Sequence, residues 1–322
     1  MKKELNYFQT LKAIEEIKKH FELQLEEKLS LIKVQSPLFV KTDSGLQDGL
    51  TGVEKGVSFT KGNEKFEIVH SLAKWKRDAL GRYGFPLHTG LYTDMKAIRK
   101  DEIVDATHSL FVEQWDWEKV ISKEDRTISY LRKTVISIYE ALKQTLAYVK
   151  EKHSFITIQL PESVFFITSQ DLEDMYPDKA AKEREELIVK DKKVVFIIGI
   201  GDKLKSGKVH DLRSPDYDDW SLNGDLFVYD KELKKAVELS SMGIRVDEKS
   251  LVSQLEKAGK LDKLKLPYHQ KIQKCQLPYT IGGGLGLSRI LMFLLEKTHI
   301  AEIQASSWED KTIKELKDIR IL

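Results

Sequence analysis

The 322-residue sequence predicts an α+β fold, a largely antiparallel sheet flanked by helices. Three observations carry that prediction. Two long stretches repeat apolar residues at helical spacing. Several short apolar segments bounded by turn residues read as strands. The strands and helices do not alternate in the regular way that a doubly wound parallel sheet requires. No repeat, low-complexity tract or Pro/Gly-rich linker divides the chain, so a single domain spanning 1–322 is expected.

Phe8, Leu11, Ile14, Ile17, Phe21, Leu25 and Leu29 recur every three to four residues and predict a long helix with one buried face. A strand over 31–34 follows, and Pro37, which has no amide to donate, places its end at a sheet edge or an interface. Segments 57–59 and 66–69 form a hairpin turned by Gly62-Asn63. Ser71 is the candidate N-cap of a helix over 72–80 that ends near Gly81 and Gly84. Strands over 91–99 and 109–118 come next. The second long helix has the stripe Ile128, Leu131, Val135, Ile138, Leu142, Leu146 and Val149. Further strands are expected over 164–167, 194–200, 226–229, 236–239 and 303–305, with a solvated helix and loop over 178–193. Gly282-Gly283-Gly284 reads as a glycine-rich turn opening into the apolar helix that holds 290–295.

Composition narrows the function. Apolar residues make up 41%, enough for a sizeable core, while 53 basic and 51 acidic residues leave a net charge of +2. A nucleic-acid binder shows a basic excess or run, and neither is present. Cys275 is the sole cysteine, which excludes an intrachain disulfide and a thiolate metal cluster. Met1-Lys2-Lys3-Glu4 lacks the apolar stretch of a signal peptide and no apolar run is long enough to span a bilayer, so a cytoplasmic protein without a membrane partner is expected.

Four constellations carry chemistry. Arg289, at the start of the helix after the glycine run, presents a planar set of donors suited to polyphosphate beside a positive helix end; packing of helix on sheet is the alternative use of those glycines. On the strand over 109–118, Gln114, Asp116 and Glu118 share one face and Trp115 and Trp117 the other, so a polar row leaves the core for a cavity, or for solvent, with Arg99 ending the neighbouring strand. Asp225 and Glu238, on consecutive strands, are either a magnesium site or ordinary salt-bridge partners. The segment 210–220, with four aspartates, Tyr217 and Trp220, is either a seat for an ammonium group or an acidic surface loop. Together these point to adenylation of a carboxylate by ATP.

These residues resemble the class II aminoacyl-tRNA synthetase catalytic domain, in its aspartyl and asparaginyl branch. The helix, strand and Pro37 are similar to its first motif, which builds a dimer interface. Arg99 with 111–118 is similar to the second, and 284–289 to the third, with Ser288 where an acidic residue is usual. Gln47-Asp48, 70–77, 114–118, 215–220 and 238–245 resemble more closely still the bacterial ammonia-dependent asparagine synthetase family, over nearly the whole chain. That resemblance implies aspartate, ATP and ammonia as substrates, a homodimer, and no anticodon-binding domain. It implies Asp48, Arg99 and Gln114 as the catalytic set, and Ser71, Lys76, Asp116, Tyr217, Asp218, Ser240, Ser241 and Arg245 around aspartate. Arg99, Glu238, Gly284, Gly286 and Arg289 would hold ATP, with Asp225 and Glu238 on Mg2+. With no candidate cysteine nucleophile, free ammonia rather than glutamine is the expected nitrogen donor. A tRNA-dependent paralogue and a non-catalytic amino-acid sensor stay open as other readings.

Overall fold

The computed structural model describes residues 5–51 and 54–322. In chain order its helices and strands are α1 (Tyr7–Leu29), β1 (Leu31–Lys33), β2 (Phe39–Lys41), β3 (Ser58–Lys61), β4 (Glu64–Ile68), α2 (Ala73–Tyr83), β5 (Gly90–Ile98), β6 (Phe111–Val120) and α3 (Ile128–Lys152). They continue with β7 (Phe165–Thr168), α4 (Ser169–Met175), α5 (Ala181–Lys192), β8 (Val194–Ile198), β9 (Asp218–Asp230), β10 (Lys235–Arg245), α6 (Glu248–Lys257), α7 (Pro267–Gln273), β11 (Thr280–Gly286), α8 (Leu287–Leu294) and α9 (Asp310–Glu315).

Eight strands form one sheet in the order β1-β5-β6-β11-β10-β9-β8-β7. Only the two outermost pairs, β1–β5 and β7–β8, run parallel; the strands between them are antiparallel. A small second sheet, β2-β4-β3, stands beside it, and its β3–β4 hairpin turns at Gly62-Asn63 as expected, with Gly62 at φ 61°.

The pleat sends alternate side chains to opposite faces. On one face Trp115 and Trp117 of β6, Met242 and Ile244 of β10 and Phe196 of β8 pack under α1, α3 and α8. Each fully buried tryptophan there contributes on the order of 4 kcal/mol. α1 begins on a reciprocal cap between Asn6 and Gln9 and stops at Ser30, whose φ of 57° no helix continues. The opposite face is covered at one end by α2 against β5 and β6 and at the other by α4 and α5 against β7, β8 and β9. Between those covers the central strands β6, β11, β10 and β9 present polar side chains, and the cleft lies there.

Four expectations change. The glycine run is no turn but the body of β11, a central strand. A Cβ on Gly282 would stand 2.0 Å from a Glu118 oxygen, and one on Gly284 would stand 2.4 Å from the Gln114 side-chain oxygen, so the missing side chains make room for their neighbours'. Ser71 is not the N-cap of α2: Leu72 is, and it makes no side-chain cap bond, while the Ser71 hydroxyl donates to Asp48 at 2.6 Å and its oxygen accepts from the Ala73 amide at 3.4 Å. Residues 303–305 form no strand and follow a 3-10 turn, Ile300–Glu302. Finally, 178–193 is not merely solvated, since α5 buries Arg184, Glu185, Ile188 and Val189.

Candidate active site

The cleft on the open face has a volume of about 420 Å³. Asp48, Ser71, Arg99, Gln114, Asp116, Tyr217, Asp218, Glu238, Ser240, Ser241, Gly284, Gly286, Arg245 and Arg289 all line it. Of the residues singled out from the sequence, Lys76, Glu118 and Asp225 do not reach its surface.

At one end the β6 row works as its alternation predicts. Asp116 accepts from the amide of Leu72 at 3.0 Å and from the Lys76 ammonium. Lys76 also donates to the carbonyls of Trp117 at 2.8 Å and Gly283 at 3.2 Å, and lies fully buried beneath the cleft floor. Burial pulls its pKa down, against the pull of Asp116 and Glu118. Arg245, ending β10, grips Glu118 through Nε at 2.9 Å and Nη2 at 2.7 Å, donates from Nη1 to Asp218, and stacks 5.7 Å above the Tyr217 ring. Glu118 in turn accepts from Thr280 Oγ1 at 2.7 Å. Burial lifts the Asp218 carboxyl above its ordinary value in spite of Arg245. Asp218 is thus the first residue of β9 rather than part of a loop. The preceding residue but one, Asp216, is locked below by Lys74 at 2.7 Å, Lys263 at 2.9 Å and His269 at 2.9 Å. Beside this end, Asp48 accepts from Ser71 Oγ at 2.6 Å and from the Leu50 amide at 2.8 Å.

The other end is arginine-rich. Arg289 donates to two backbone carbonyls, Thr107 at 3.2 Å and Glu238 at 3.1 Å. Among the described residues Arg99 donates to the His70 carbonyl alone, at 3.4 Å, and its buried Nε meets no partner. Glu238 faces the cleft because β10 carries a bulge between Glu238 and Ser240. Val237 and Leu239 pack into the core before the bulge and Met242 and Ile244 after it, so Glu238 joins Ser241 and Arg245 on the open face. Burial opposes ionisation of Glu238, yet Arg289, Arg213, Lys182 and Arg99 together hold its carboxyl below the usual range.

Asp225, expected beside Glu238 as a metal ligand, is already engaged. Both its oxygens accept from Arg213 Nη2, at 2.7 and 2.6 Å, and Arg213 stands between it and the cleft. Burial and the like charge of Glu238 raise the Asp225 carboxyl above its ordinary range. Among the described residues no group of three or more His, Cys, Asp or Glu gathers in a way that could hold a metal. Glu238 fits a divalent ion that also binds phosphate oxygens; Asp225 in this arrangement does not.

Sequence reasoning missed Arg213 and Lys182. Arg213 lies in an irregular stretch where no periodicity assigns a face, and its only signal was proximity to the aspartates of 211–219. Lys182 lies at the start of the charged α5, where one cleft-lining lysine looks like its solvated neighbours.

Similar proteins agree with this geometry. A family model for aspartate-ammonia ligases matches residues 8–320. The aspartate–ammonia ligase of Clostridium tetani (strain Massachusetts / E88) is 52% identical over 316 residues, which cover 97% of this chain and 93% of that one. Its counterpart in Clostridium perfringens (strain SM101 / Type A) is 54% identical over 320 residues, covering 98% and 95%. Among solved structures, asparaginyl-tRNA synthetase from Pyrococcus horikoshii complexed with asparaginyl-adenylate superposes with a TM-score of 0.66 at 14% identity, over 91% of this chain and 67% of that one. The Entamoeba histolytica asparaginyl-tRNA synthetase in complex with asparaginyl-adenylate gives 0.62 at 15% identity, over 92% and 66%. The likeness to those longer synthetases is one of fold, a class II synthetase-like α+β sheet, whereas the near full-length identity shows that the chain belongs to the aspartate–ammonia ligase family.

Proposed function

We propose that the protein joins ammonia to the β-carboxylate of L-aspartate, using ATP and releasing AMP and diphosphate with L-asparagine. The observation that carries this reading is the charge gradient along the cleft. At the β6 end three carboxylates, Asp116, Glu118 and Asp218, surround two cations, Lys76 and Arg245. That end has one negative charge in excess and suits an α-ammonium. At the far end three arginines, Arg99, Arg213 and Arg289, face two carboxylates, Glu238 and Asp225. That end suits phosphate. An aspartate seated along the gradient keeps its amino end at the acidic side and turns its β-carboxylate toward the nucleotide.

In the first step a β-carboxylate oxygen attacks the α-phosphorus, and the bond to the β-phosphate oxygen breaks. Two anions must meet, so fixed positive charge lowers the barrier. Arg99 serves the α-phosphate and Arg289 the terminal phosphates. Glycines on β11 let the nucleotide approach the strand at Gly284 and Gly286. Ser71, Gln114, Tyr217, Ser240 and Ser241 orient the amino acid, while Lys76 acts from beneath by fixing Asp116. Mg2+, when bound, would neutralise phosphate charge, with Glu238 as the carboxylate already facing the cleft. In the second step ammonia attacks the acyl carbon and the bond to AMP breaks. Asp48 attracts ammonium and takes its proton, since only the neutral amine has a free electron pair.

The outer face of α1 and β1 completes a homodimer under this reading, and the working compartment is the cytoplasm. Among the described residues no helix is long and apolar enough to cross a membrane. The deciding assay supplies aspartate, ATP, magnesium and ammonium and omits tRNA. Asparagine and AMP in equal amounts are expected; AMP that forms only with tRNA would overturn the proposal.

A further inference from the structure

We infer that Arg213 is an exchangeable counter-ion of Asp225, holding the place that the divalent ion of ATP takes over when nucleotide enters. Four observations point the same way. The pairing is incomplete for an arginine: both Asp225 oxygens are served by the single nitrogen Nη2, Nη1 is spent on Ser241 Oγ at 2.9 Å, and Nε is buried with no acceptor. A lasting arginine–carboxylate pair uses two parallel N–H bonds, as Arg245 does on Glu118 with Nε and Nη2.

The backbones differ in the same sense. Arg245 ends a central strand, whereas Arg213 sits between β8 and β9 where no helix or strand fixes it. Its position is third: Arg213 lines the cleft and Asp225 lies behind it, so anything arriving from the nucleotide side meets the guanidinium first. The charges are fourth. Glu238 lines the cleft beside Arg213, and among the described residues no hydrogen bond holds its carboxylate. Arg213 hydrogen-bonds Asp225 but not Glu238, whereas a divalent ion in its place would touch both carboxylates.

Exchange therefore satisfies both partners. The ion gains two carboxylates plus phosphate oxygens, the oxygen-rich surroundings magnesium requires. Arg213, released from Asp225, turns its unused donors to the polyphosphate. The device makes metal and nucleotide bind together: metal alone must displace the arginine without giving it a new partner, and so binds weakly.

The consequence for ATP rests on the ligase reading, but the test does not. Mn2+ alone is titrated into the nucleotide-free protein and free Mn2+ is read by electron paramagnetic resonance. Arg213→Gln and Arg213→Ala are expected to bind Mn2+ at least tenfold tighter than the unaltered chain. The gain should vanish when Asp225→Asn is added to Arg213→Gln. A gain below threefold in whichever of the two variants keeps a cooperative melt overturns the inference, as does unaltered protein that binds Mn2+ alone as tightly as the variants. Aspartate-dependent AMP formation by the unaltered protein tests the ligase reading separately.

Discussion

Arginines in this cleft differ in how many of their donors are already spent, and that difference forecasts what each substitution does. Arg99 and Arg289 bond only to backbone carbonyls, so their guanidinium groups keep donors for a ligand. Arg99→Ala and Arg289→Ala should each slow aspartate-dependent exchange of diphosphate into ATP by 100- to 1,000-fold, about 3 kcal/mol, with the melting temperature nearly unchanged. Arg245→Ala should instead destabilise the fold by on the order of 3–5 kcal/mol, because it strands Glu118 and Asp218 as buried charges. Asp48→Asn separates the two chemical steps. It should leave diphosphate exchange intact and cut asparagine formation by about 100-fold, the usual contribution of a general base; equal losses in both assays would remove Asp48 from the ammonia step. These side chains were legible in different degrees. Gln114, Asp116 and Glu118 follow from strand alternation alone. The engagement of Asp225 with Arg213 did not, because it joins a strand to an irregular segment twelve positions earlier and leaves no periodic trace.

At the scale of elements, β11 is a strand whose glycines are placed by their neighbours' side chains, which is why local propensity reads it as a turn. Two of its glycines, Gly284 at the cleft and Gly282 beneath it, should respond differently to alanine. On Gly284 the added methyl meets the end of Gln114, which can swing into the cleft. Gly284→Ala should therefore fold normally and raise the KM for aspartate tenfold or more. On Gly282 the methyl meets Glu118, pinned by Arg245 and Thr280 with nowhere to move. Gly282→Ala should cost about 2 kcal/mol of stability, in the range of an overpacked core, measured by urea unfolding. The segment leading into β9 is held in a second way, by Asp216 accepting from Lys74, Lys263 and His269 out of α2, a 3-10 turn and α7. Burial opposes ionisation of Asp216, but Lys74, the His269 hydrogen bond and Lys263 outweigh it and hold its carboxyl well below the ordinary 3.8. A carboxyl depressed on folding contributes stability that is full above its unfolded value and disappears as pH falls through the folded one. Asp216→Asn should thus lower the melting temperature at neutral pH and flatten the loss of stability below about pH 4. Long helices were readable because many residues vote on one period, but the first turns of the α1 stripe were not: Phe8 and Leu11, expected on its buried face, are exposed, and Thr10 and Ala13 are buried in their place. The bulge that turns Glu238 into the cleft was not readable either, since a single extra residue sets the direction of everything beyond it.

Across the whole molecule, one sheet separates two duties: a helix-covered face that supplies stability, and an open face whose charges run from acidic to basic along the bound substrate. Under the homodimer proposal, exposed apolar side chains on α1 and β1 are where a second copy would sit. Leu23 on α1 and Ile32 on β1 are both more than half exposed, and α1 packs directly onto β1. β1 is also an edge strand of the large sheet, an unpaired row that proteins cover or charge to avoid indiscriminate pairing. Lys33 stands beside Ile32, tied to Glu22 at 3.0 Å and Asp94 at 2.9 Å, so a partner seated here meets an apolar strip rimmed by ion pairs. An apolar strip with a polar rim is what the proposed interface requires. Sedimentation at micromolar concentration should give a dimer. Leu23→Glu combined with Ile32→Glu should give a folded monomer, since both side chains are exposed within one chain and a charge on either breaks no core contact. The monomer keeps Arg99, Gln114, Glu238, Arg245 and Arg289 of its own chain around the cleft, so it should still form asparagine. If the substituted protein remains dimeric while folded, the interface lies elsewhere on the molecule, and the exposed strip over α1 and β1 needs another explanation.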